Sequence, residues 1–355
     1  MYRTLLRPLL FNLDSERAHH LALGAARFAG RIGMRPIVEK CFELEDPALS
    51  TDCFGLHFKN PIGLAAGFDK NVHAVEMLAA LGFGFIEIGS ITGQPQPGNP
   101  TPRIFRFPAD QAIINRMGFP SDGADAVAPR LQEVRRSPNS ALLGVNLGKT
   151  KAVALDNALD DYLYTFSRIK DYADYVALNV SSPNTPELRK LQERSRLEAL
   201  FRGVQRDNSR GIPLLVKVAP DLEPAQVDEV LACCLDCGVS GIIATNTTFS
   251  REGLSRPTEE TGGLSGAPLR KRSLEMVRYI SRQTQGKLPI IGVGGVFCGR
   301  DAFELISAGA SLIQIYTGLI YEGPGLVRKV KSELLGLMKE SGISRLGELV
   351  GKANK

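Results

Sequence analysis

Short apolar runs alternate with longer amphipathic stretches over most of this chain. The runs are Ile62–Ala66, Phe83–Ile88, Leu142–Leu147, Tyr175–Val180, Leu214–Val218, Gly241–Thr245, Pro289–Val293 and Leu312–Tyr316. Each is nearly continuous in apolar residues, as strands buried on both faces are. Between them, apolar residues fall at helical spacing in Val72–Leu81, Asp122–Arg136, Leu155–Ile169, Ser195–Asn208, Pro224–Cys237, Leu269–Gln283 and Gly299–Ala308. Eight strands, each followed by a crossover, is the count of an α/β fold of the (β/α)8 TIM barrel type; a doubly wound sheet is the competing architecture. Residues 48–60 read as a small hairpin about Gly55. Residues 91–121 read as an insertion with a second hairpin, Arg103–Phe107 and Ala112–Asn115. No Gly-, Ser- or Pro-rich linker divides the chain after residue 60, which favours one main domain.

The first 35 residues follow a different pattern. A short apolar piece, Met1 to Phe11, carries Arg3 and Arg7. Asp14 is placed to cap a second helix with Ala18, Leu21, Ala22, Ala25, Phe28, Ala29 and Ile32 near helical period. Its polar positions are Arg17, Arg27 and Arg31. Two short basic amphipathic helices can lie in a membrane interface or pack on the main domain, and one face can do each. This divides the chain into a helical extension, 1–40, and a barrel domain, 41–355.

Composition narrows the function classes. The chain has 355 residues, of which 43% are hydrophobic and 23% charged, with net charge +5. It holds no long Lys/Arg block, so nucleic acid is not implied. Six cysteines (41, 53, 233, 234, 237 and 298) lack the spacing of a disulfide scaffold and suit a reducing compartment. No apolar run reaches the length of a membrane span, and no signal peptide is clear. Four histidines (19, 20, 57 and 73) all fall early, which leaves a His triad or His-rich metal site poorly supplied.

Barrel chemistry sits where strands run into the following loops. Those ends read Ala65-Ala66-Gly67-Phe68-Asp69-Lys70, Gly89-Ser90, Asn146-Leu147-Gly148-Lys149, Asn179 with Ser181-Ser182-Pro183-Asn184, Thr245-Asn246-Thr247-Thr248, Gly292-Val293-Gly294-Gly295 and Tyr316-Thr317-Gly318. Lys217 lies inside the fifth run. A buried lysine must find an anion or lose its charge. It reads as a Schiff-base nucleophile, a neutral base, a cation facing an anionic or electron-rich group, or a lysine snorkelling from a strand end. Glycines after the last two strands offer N–H groups to a phosphate, or form tight turns alone. Asn146, Asn179, Asn184 and Asn246 supply donors and acceptors suited to a planar heterocycle with carbonyls and N–H groups. No carboxylate cluster with metal-ligand spacing appears among these ends, so no metal is expected.

Three motifs are set aside. Gly144-Val-Asn-Leu-Gly148-Lys149-Thr150 is one residue short of a P-loop. Gly292 to Gly299 fails the dinucleotide fingerprint at Phe297. Cys233, Cys234 and Cys237 lie in a helical pattern without a partner pair, so a buried helix is favoured over metal.

The motifs resemble those of the dihydroorotate dehydrogenase family. They are Asn60-Pro-Ile-Gly-Leu-Ala-Ala-Gly-Phe-Asp-Lys70, Ile113-Ile-Asn-Arg-Met-Gly-Phe119, Asn179-Val-Ser-Ser-Pro-Asn-Thr185, Ala244-Thr-Asn-Thr-Thr248, Thr261-Gly-Gly-Leu-Ser-Gly266 and Ile290-Ile-Gly-Val-Gly-Gly295. Class 2, quinone-dependent and membrane-associated, is the closer match. It carries a basic helical extension before the barrel, and its catalytic base is Ser where class 1 has Cys; here that position is Ser182.

The resemblance implies an FMN-containing enzyme that oxidises dihydroorotate to orotate in pyrimidine synthesis and passes electrons to a quinone. It implies FMN contacts at Ala66, Gly67, Phe68, Asp69, Lys70 and Ser90 early in the chain. It implies others at Asn146, Asn179, Lys217, Thr245, Gly266, Gly295, Tyr316 and Thr317. Substrate contacts are implied at Lys70, Asn115, Arg116, Met117, Gly118 and Phe119, and at Asn179, Asn184, Asn246 and Thr247. Relatives often have Thr at Ser90 and Leu at Phe68. Arg106 and Tyr316 are expected at the quinone entry. Pro183 and Pro186 are expected to fix the loop that aims Ser182. Strand alternation turns Ser181 away from the flavin, so Ser181→Ala is expected to be mild. The chain is expected to work as a monomer, peripheral on the cytoplasmic face of the cell membrane. Two other readings stand beside this one: a Schiff-base aldolase using Lys217, and a membrane-surface binding protein with a degenerate barrel.

Overall fold

The computed structural model describes residues 2–137, 141–185 and 187–354. The strands in chain order are β1 (Thr51–Cys53), β2 (Leu56–Phe58), β3 (Ile62–Leu64), β4 (Phe85–Ile91), β5 (Ile104–Phe107), β6 (Ala112–Asn115) and β7 (Leu142–Leu147). They continue with β8 (Tyr175–Asn179), β9 (Leu214–Val218), β10 (Gly241–Ala244), β11 (Gly263–Gly266), β12 (Ile290–Val293) and β13 (Leu312–Ile315). β3, β4, β7, β8, β9, β10, β12 and β13 form a closed parallel barrel. These are the eight apolar runs of the sequence. Ile313 pairs with Ile62 and Ile315 with Leu64, so the last strand meets the first and the doubly wound alternative is excluded.

Interior volume explains several glycines. A Cβ at Gly63 would lie 2.2 Å from the Phe85 ring, and one at Gly144 would lie 2.0 Å from the Tyr175 ring. Each glycine gives up its own side chain so that a facing aromatic can fill the narrow barrel. The hairpin β1–β2 closes the lower end, where Phe58 meets Phe85 edge-on at 5.3 Å. Above this aromatic floor the inward positions turn polar.

The expected helices are present with small shifts at their ends. Val75–Ala79 is shorter than Val72–Leu81. Val72 has φ 62°, and the Asp69 carboxylate takes the N–H groups of His73 and Ala74. The helix therefore starts only after that cap. Lys149, in the P-loop look-alike, is buried and donates to the carbonyls of Thr150 and Val153, which makes it a loop brace. Cys233 and Cys234 are buried in the helix Pro224–Asp236.

The second hairpin forms as expected, but β11 adds a third strand to it, with Ser265 beside Ile113 and Gly266 beside Ala112. This strand was not legible. A Gly-Leu-Ser-Gly segment has no alternation to read.

The extension is helical at Arg7–Phe11, Ser15–Arg31 and Arg35–Phe42. Asp14 Oδ1 accepts the N–H of Glu16 and Arg17, each at 3.0 Å, a cap that stabilises the helix by about 1 kcal/mol. The third helix goes beyond the two that the pattern suggests; Pro36 opens it and Arg35 pairs with Glu39 one turn on. Leu5, Leu9, Leu21, Phe28, Ile32 and Ile37 are all exposed, Phe28 at 64%. Among the described residues no helix is long and apolar enough to cross a membrane.

Candidate active site

A cavity of about 630 Å³ opens above the upper end of the barrel. That is the size range of small-molecule and cofactor sites. Its wall comes from three sources: the barrel strand ends, the β5–β6–β11 sheet, and the extension helices. One part is polar, with Lys70, Asn115, Ser182, Asn184, Asn246 and Thr247. Another is apolar, with Leu6, Leu10, Ala18, Ala22, Ala25 and Val38.

The strand ends build the polar part. Asn179 Nδ2 donates to Ser90 Oγ at 3.0 Å and to Asn146 Oδ1 at 3.2 Å, and Ser90 donates to Asn146. Asn246 Nδ2 donates to Asn179 Oδ1 at 3.2 Å and to Ser181 Oγ at 2.9 Å. The buried Tyr162 hydroxyl donates to the Asn179 carbonyl at 2.9 Å. Such a network fixes each amide in one orientation. Asn184 Nδ2 reaches Asn115 Oδ1 at 3.2 Å, joining the Ser182 loop to the insertion.

Ser182 lines the cavity and is nearly buried. Its Oγ accepts the Asn184 N–H at 3.2 Å. Ser181 lies behind it, fully buried. Pro186 lies outside the described residues. Arg189 ties the loop down: its Nε donates to the Ser181 carbonyl, Nη1 pairs with Asp221 at 2.8 Å, and Nη2 donates to the Thr247 carbonyl.

Two lysines face the cavity. Burial pushes Lys70 down to about 8, partly countered by Glu16, and its Nζ donates to the Gly67 carbonyl at 2.6 Å. Burial also lowers Lys217. Gln314 lines the same wall, and its Oε1 is buried without a hydrogen-bond partner among the described residues. Gly266, at φ +104°, leaves no room for a Cβ, which would fall 2.2 Å from the Gln111 carbonyl oxygen.

Aromatic edges lead from this region to the extension. His19 meets Phe68 at 5.1 Å, and Phe68 meets Tyr316 at 5.7 Å. Burial, with Lys70 close by, pushes His19 down to about 3, so the ring stays neutral. Arg106 lines the apolar part, donates to the Leu10 carbonyl at 3.0 Å and lies over the Phe11 ring.

The structure brings together Ala66, Gly67, Phe68, Lys70, Ser90, Asn179, Ser182 and Lys217 from the early strands. It also brings Thr245, Asn246, Thr247, Gly266, Gly295, Tyr316 and Thr317 from the later ones, and Asn115, Met117, Gly118, Phe119 and Asn184 from the loops. Three expected residues sit elsewhere. Asp69 turns away from the cavity to cap its own loop, as described above. Arg116 also turns away: it pairs with Glu260 at 2.6 Å and lies over Phe105. Its neighbours in the motif reach the cavity, but alternation sends this side chain to the other face. Asn146 stands one layer back, behind Ser90 and Asn179. Ser181 is also more engaged than a bystander, since its Oγ holds Asn246 and donates to Asn179 Oδ1.

Sequence reasoning missed the polar centre of the barrel. Glu87 Oε1 accepts Asn146 Nδ2 at 2.9 Å; Oε2 accepts the Tyr175 hydroxyl at 2.9 Å and Gln314 Nε2 at 2.7 Å. A charged residue inside an apolar run is the signal that marks Lys217, and Glu87 carries it too.

The family model for dihydroorotate dehydrogenase matches residues 48–338. A relative named dihydroorotate dehydrogenase (quinone) from Gloeobacter violaceus is 51% identical, covering 99% of both chains. One of the same name from Acidithiobacillus ferrooxidans is 48% identical, covering 98% of both. The solved structure of Eimeria tenella DHODH in complex with ferulenol superposes with a TM-score of 0.88 at 39% identity, over 95% of this chain and 96% of that one. Fold, cavity and relatives agree: the chain belongs to the dihydroorotate dehydrogenase family, grouping with the members named for quinone.

Proposed function

We propose that the chain oxidises dihydroorotate to orotate in pyrimidine synthesis, with FMN as hydride acceptor and a quinone as final electron acceptor. The observation that carries this is the single cavity that joins the Ser182 and asparagine wall, through Lys217, to the apolar slot between the extension helices.

The residues present fit FMN. Lys217 Nζ faces the cavity with no acceptor among the described residues, and the orphaned Gln314 Oε1 lacks a donor. A flat heterocycle with both carbonyls and an N–H supplies what each lacks. Ala66, Gly67, Ser90, Asn179, Thr245 and Gly266 would flank it, with Gly295, Tyr316 and Thr317 at the end expected for its phosphate. When bound, FMN supplies the hydride acceptor.

The chain's own residues do the rest. Lys70 stays charged at neutral pH and holds the substrate carboxylate. Asn115, Asn184 and Asn246 orient the ring amides, which places carbon 5 against Ser182. Ser182 Oγ takes the proton from carbon 5 as the hydride leaves carbon 6. A free serine is a weak base. The Asn184 N–H on Oγ stabilises the negative charge there. Ser182 gives up its own hydroxyl proton as it takes this one; Thr185 Oγ1, buried with no hydrogen-bond partner among the described residues, would accept that proton by way of a water while releasing its own to solvent. The quinone enters past Arg106, His19 and Phe68, and the exposed apolar side chains of the extension rest in a membrane surface. The chain works as a monomer at the cytoplasmic face. A Schiff-base aldolase is not taken further, since the family is one of dehydrogenases.

The test is the visible spectrum of the purified protein. A flavin spectrum is expected, bleached by dihydroorotate without oxygen and restored by a quinone. A colourless protein, or one that dihydroorotate leaves unbleached, sinks the reading.

A further inference from the structure

The loop that carries Ser182 runs from the end of β8 to the next helix. Its own backbone hydrogen bonds are local: the Leu188 N–H meets the Thr185 carbonyl at 3.3 Å, and the Lys190 N–H meets the Glu187 carbonyl at 2.8 Å. Bonds of this kind shape a loop, but only bonds to other elements fix where it stands. On the side of the insertion, Asn99 Nδ2 donates to the Asn184 carbonyl at 3.3 Å. On the other side the anchor is Arg189.

Arg189 lies in the single helical turn Leu188–Gln192, outside the cavity wall. Its guanidinium joins the loops after β8, β9 and β10. Nε donates to the Ser181 carbonyl at 3.1 Å. Nη2 donates to the Thr247 carbonyl at 3.2 Å. Nη1 meets the Asp221 carboxylate at 2.8 Å. Asp221 is held in turn, since it accepts the Thr248 hydroxyl and the Phe249 N–H. The guanidinium carbon is 4.2 Å from the centre of the Phe249 ring. A planar fork engaged in this many directions is fixed in orientation as well as in place.

The consequence is geometric. The Ser181 carbonyl and the Ser182 nitrogen share one planar peptide, so turning the first turns the second. Asn246 and Thr247 line the same polar wall as Ser182. One rigid group therefore sets the span between Ser182 and the β10 end.

We propose that Arg189 is a positioning residue for the reaction, a cross-brace behind the cavity that holds Ser182 at its working distance from Asn246 and Thr247. This rests on the reading of Ser182 as the base toward dihydroorotate. Asp221 keeps the fork turned to both carbonyls. A lysine keeps the charge beside Asp221 but has no fork to span the two carbonyls.

The test separates the two half-reactions of the flavin-loaded full chain by stopped flow, each at saturating ligand. Arg189→Lys is expected to slow flavin reduction by dihydroorotate roughly 10- to 100-fold, as a misplacement of about 1 Å does. Reoxidation by a quinone is expected to be unchanged, because Arg189 braces only the substrate end. Arg135→Ala is the control. Arg135 pairs with Asp174 at 2.6 Å, and the exposures, 22% and 25%, equal those of Arg189 and Asp221. It also donates to a carbonyl, that of Tyr172, but Asp174 precedes β8, at the opposite end of the barrel. Arg135→Ala is expected to reduce at the wild-type rate. Wild-type reduction in Arg189→Lys overturns the proposal, as does equal slowing of reoxidation or equal slowing in Arg135→Ala. Amide hydrogen exchange gives a readout without turnover, and it decides where a variant is recovered without flavin. Exchange over residues 181–185 is expected to speed up in Arg189→Lys and not in Arg135→Ala; unchanged exchange in Arg189→Lys overturns the proposal. A wild-type protein that dihydroorotate leaves unbleached defeats the functional reading and this inference with it, whereas a bleached wild type with an unmoved Arg189→Lys defeats this inference alone.

Discussion

The guanidinium of Arg103 clasps the carboxylate of Glu16, with Nη2 2.6 Å from Oε1 and Nε 3.0 Å from Oε2. Glu16 is in the first turn of the long extension helix, and Arg103 stands just before β5. Arg103 also donates to the carbonyls of Pro97 and Asn99, each at 2.7 Å. Both side chains are only 11–13% exposed, so each ion relies on the other for most of its solvation. Arg103→Ala is expected to weaken docking of the extension by about 2–3 kcal/mol, because it strands Glu16. Amide hydrogen exchange should speed up over residues 15–31 while the barrel strands keep their protection.

Ser182 and Ser181 separate two kinds of loss. Ser182→Ala is expected to keep bound FMN and lose roughly 10²- to 10⁴-fold in kcat, the range for a proton-transfer residue. Ser181→Ala removes the nearer of the two acceptors for Asn246. It is expected to raise KM roughly 5- to 10-fold with little change in kcat, matching about 1 kcal/mol of lost orientation. Steady-state kinetics on the two variants distinguish these outcomes, and equal kcat losses would remove the distinction.

With Lys70 as the proposed holder of the substrate carboxylate, its titration would set a pH limit on substrate binding. Its value in the folded protein, about 8, lies below that of a free lysine, with burial the main cause. The folded state therefore loses this proton first as pH rises. Its burial costs stability at neutral pH, and that cost is relieved from about pH 8 up to the unfolded value. Substrate binding runs the other way: the carboxylate needs the ammonium, so KM for dihydroorotate should rise above about pH 8. Glu16 raises the Lys70 value, so Glu16→Gln should move the break to lower pH. A pH profile of KM for the wild type and this variant checks both.

The exposed apolar side chains of the extension make a membrane prediction. Full burial of one such side chain is worth roughly 1.5–3 kcal/mol. Replacing Leu9, Leu21 and Phe28 together by Gln is expected to weaken binding to phospholipid vesicles by at least ~10-fold, since even partial insertion is lost. Oxidation of dihydroorotate with a soluble dye should be unchanged. Sedimentation with vesicles and a dye assay measure the two effects on one preparation.

Much of the barrel was legible because its strands are buried on both faces. An uninterrupted apolar run such as Leu142–Leu147 has one natural place in an α/β fold. Strand ends stood out because polar groups there break off abruptly, as at Asn179. Glu87 and Gln314 were harder. They sit within their runs, not at the ends, and only closure of the barrel brings them to one point. The motif around Asn115 located a wall of the cavity, but a motif transfers backbone position better than side-chain direction. Arg116 and Asp69 show this: each lies in a matching motif, and each spends its charge on local structure. The third strand, β11, had no pattern of its own, since its place is dictated by β6.

Ser265 hydrogen-bonds to the Ile113 carbonyl from 152 positions further along the chain. The sheet over the cavity therefore spans a long stretch of synthesis. A growing chain that ends before residue 263 has six of the eight barrel strands but no β11 to complete that sheet. It also lacks β13, the strand that closes the barrel against β3. Pairings between such distant segments form late. The wall of the cavity is thus among the last parts to be completed on the ribosome. On the proposed FMN reading, the yellow colour of a preparation counts finished molecules, and fragments from interrupted translation stay colourless.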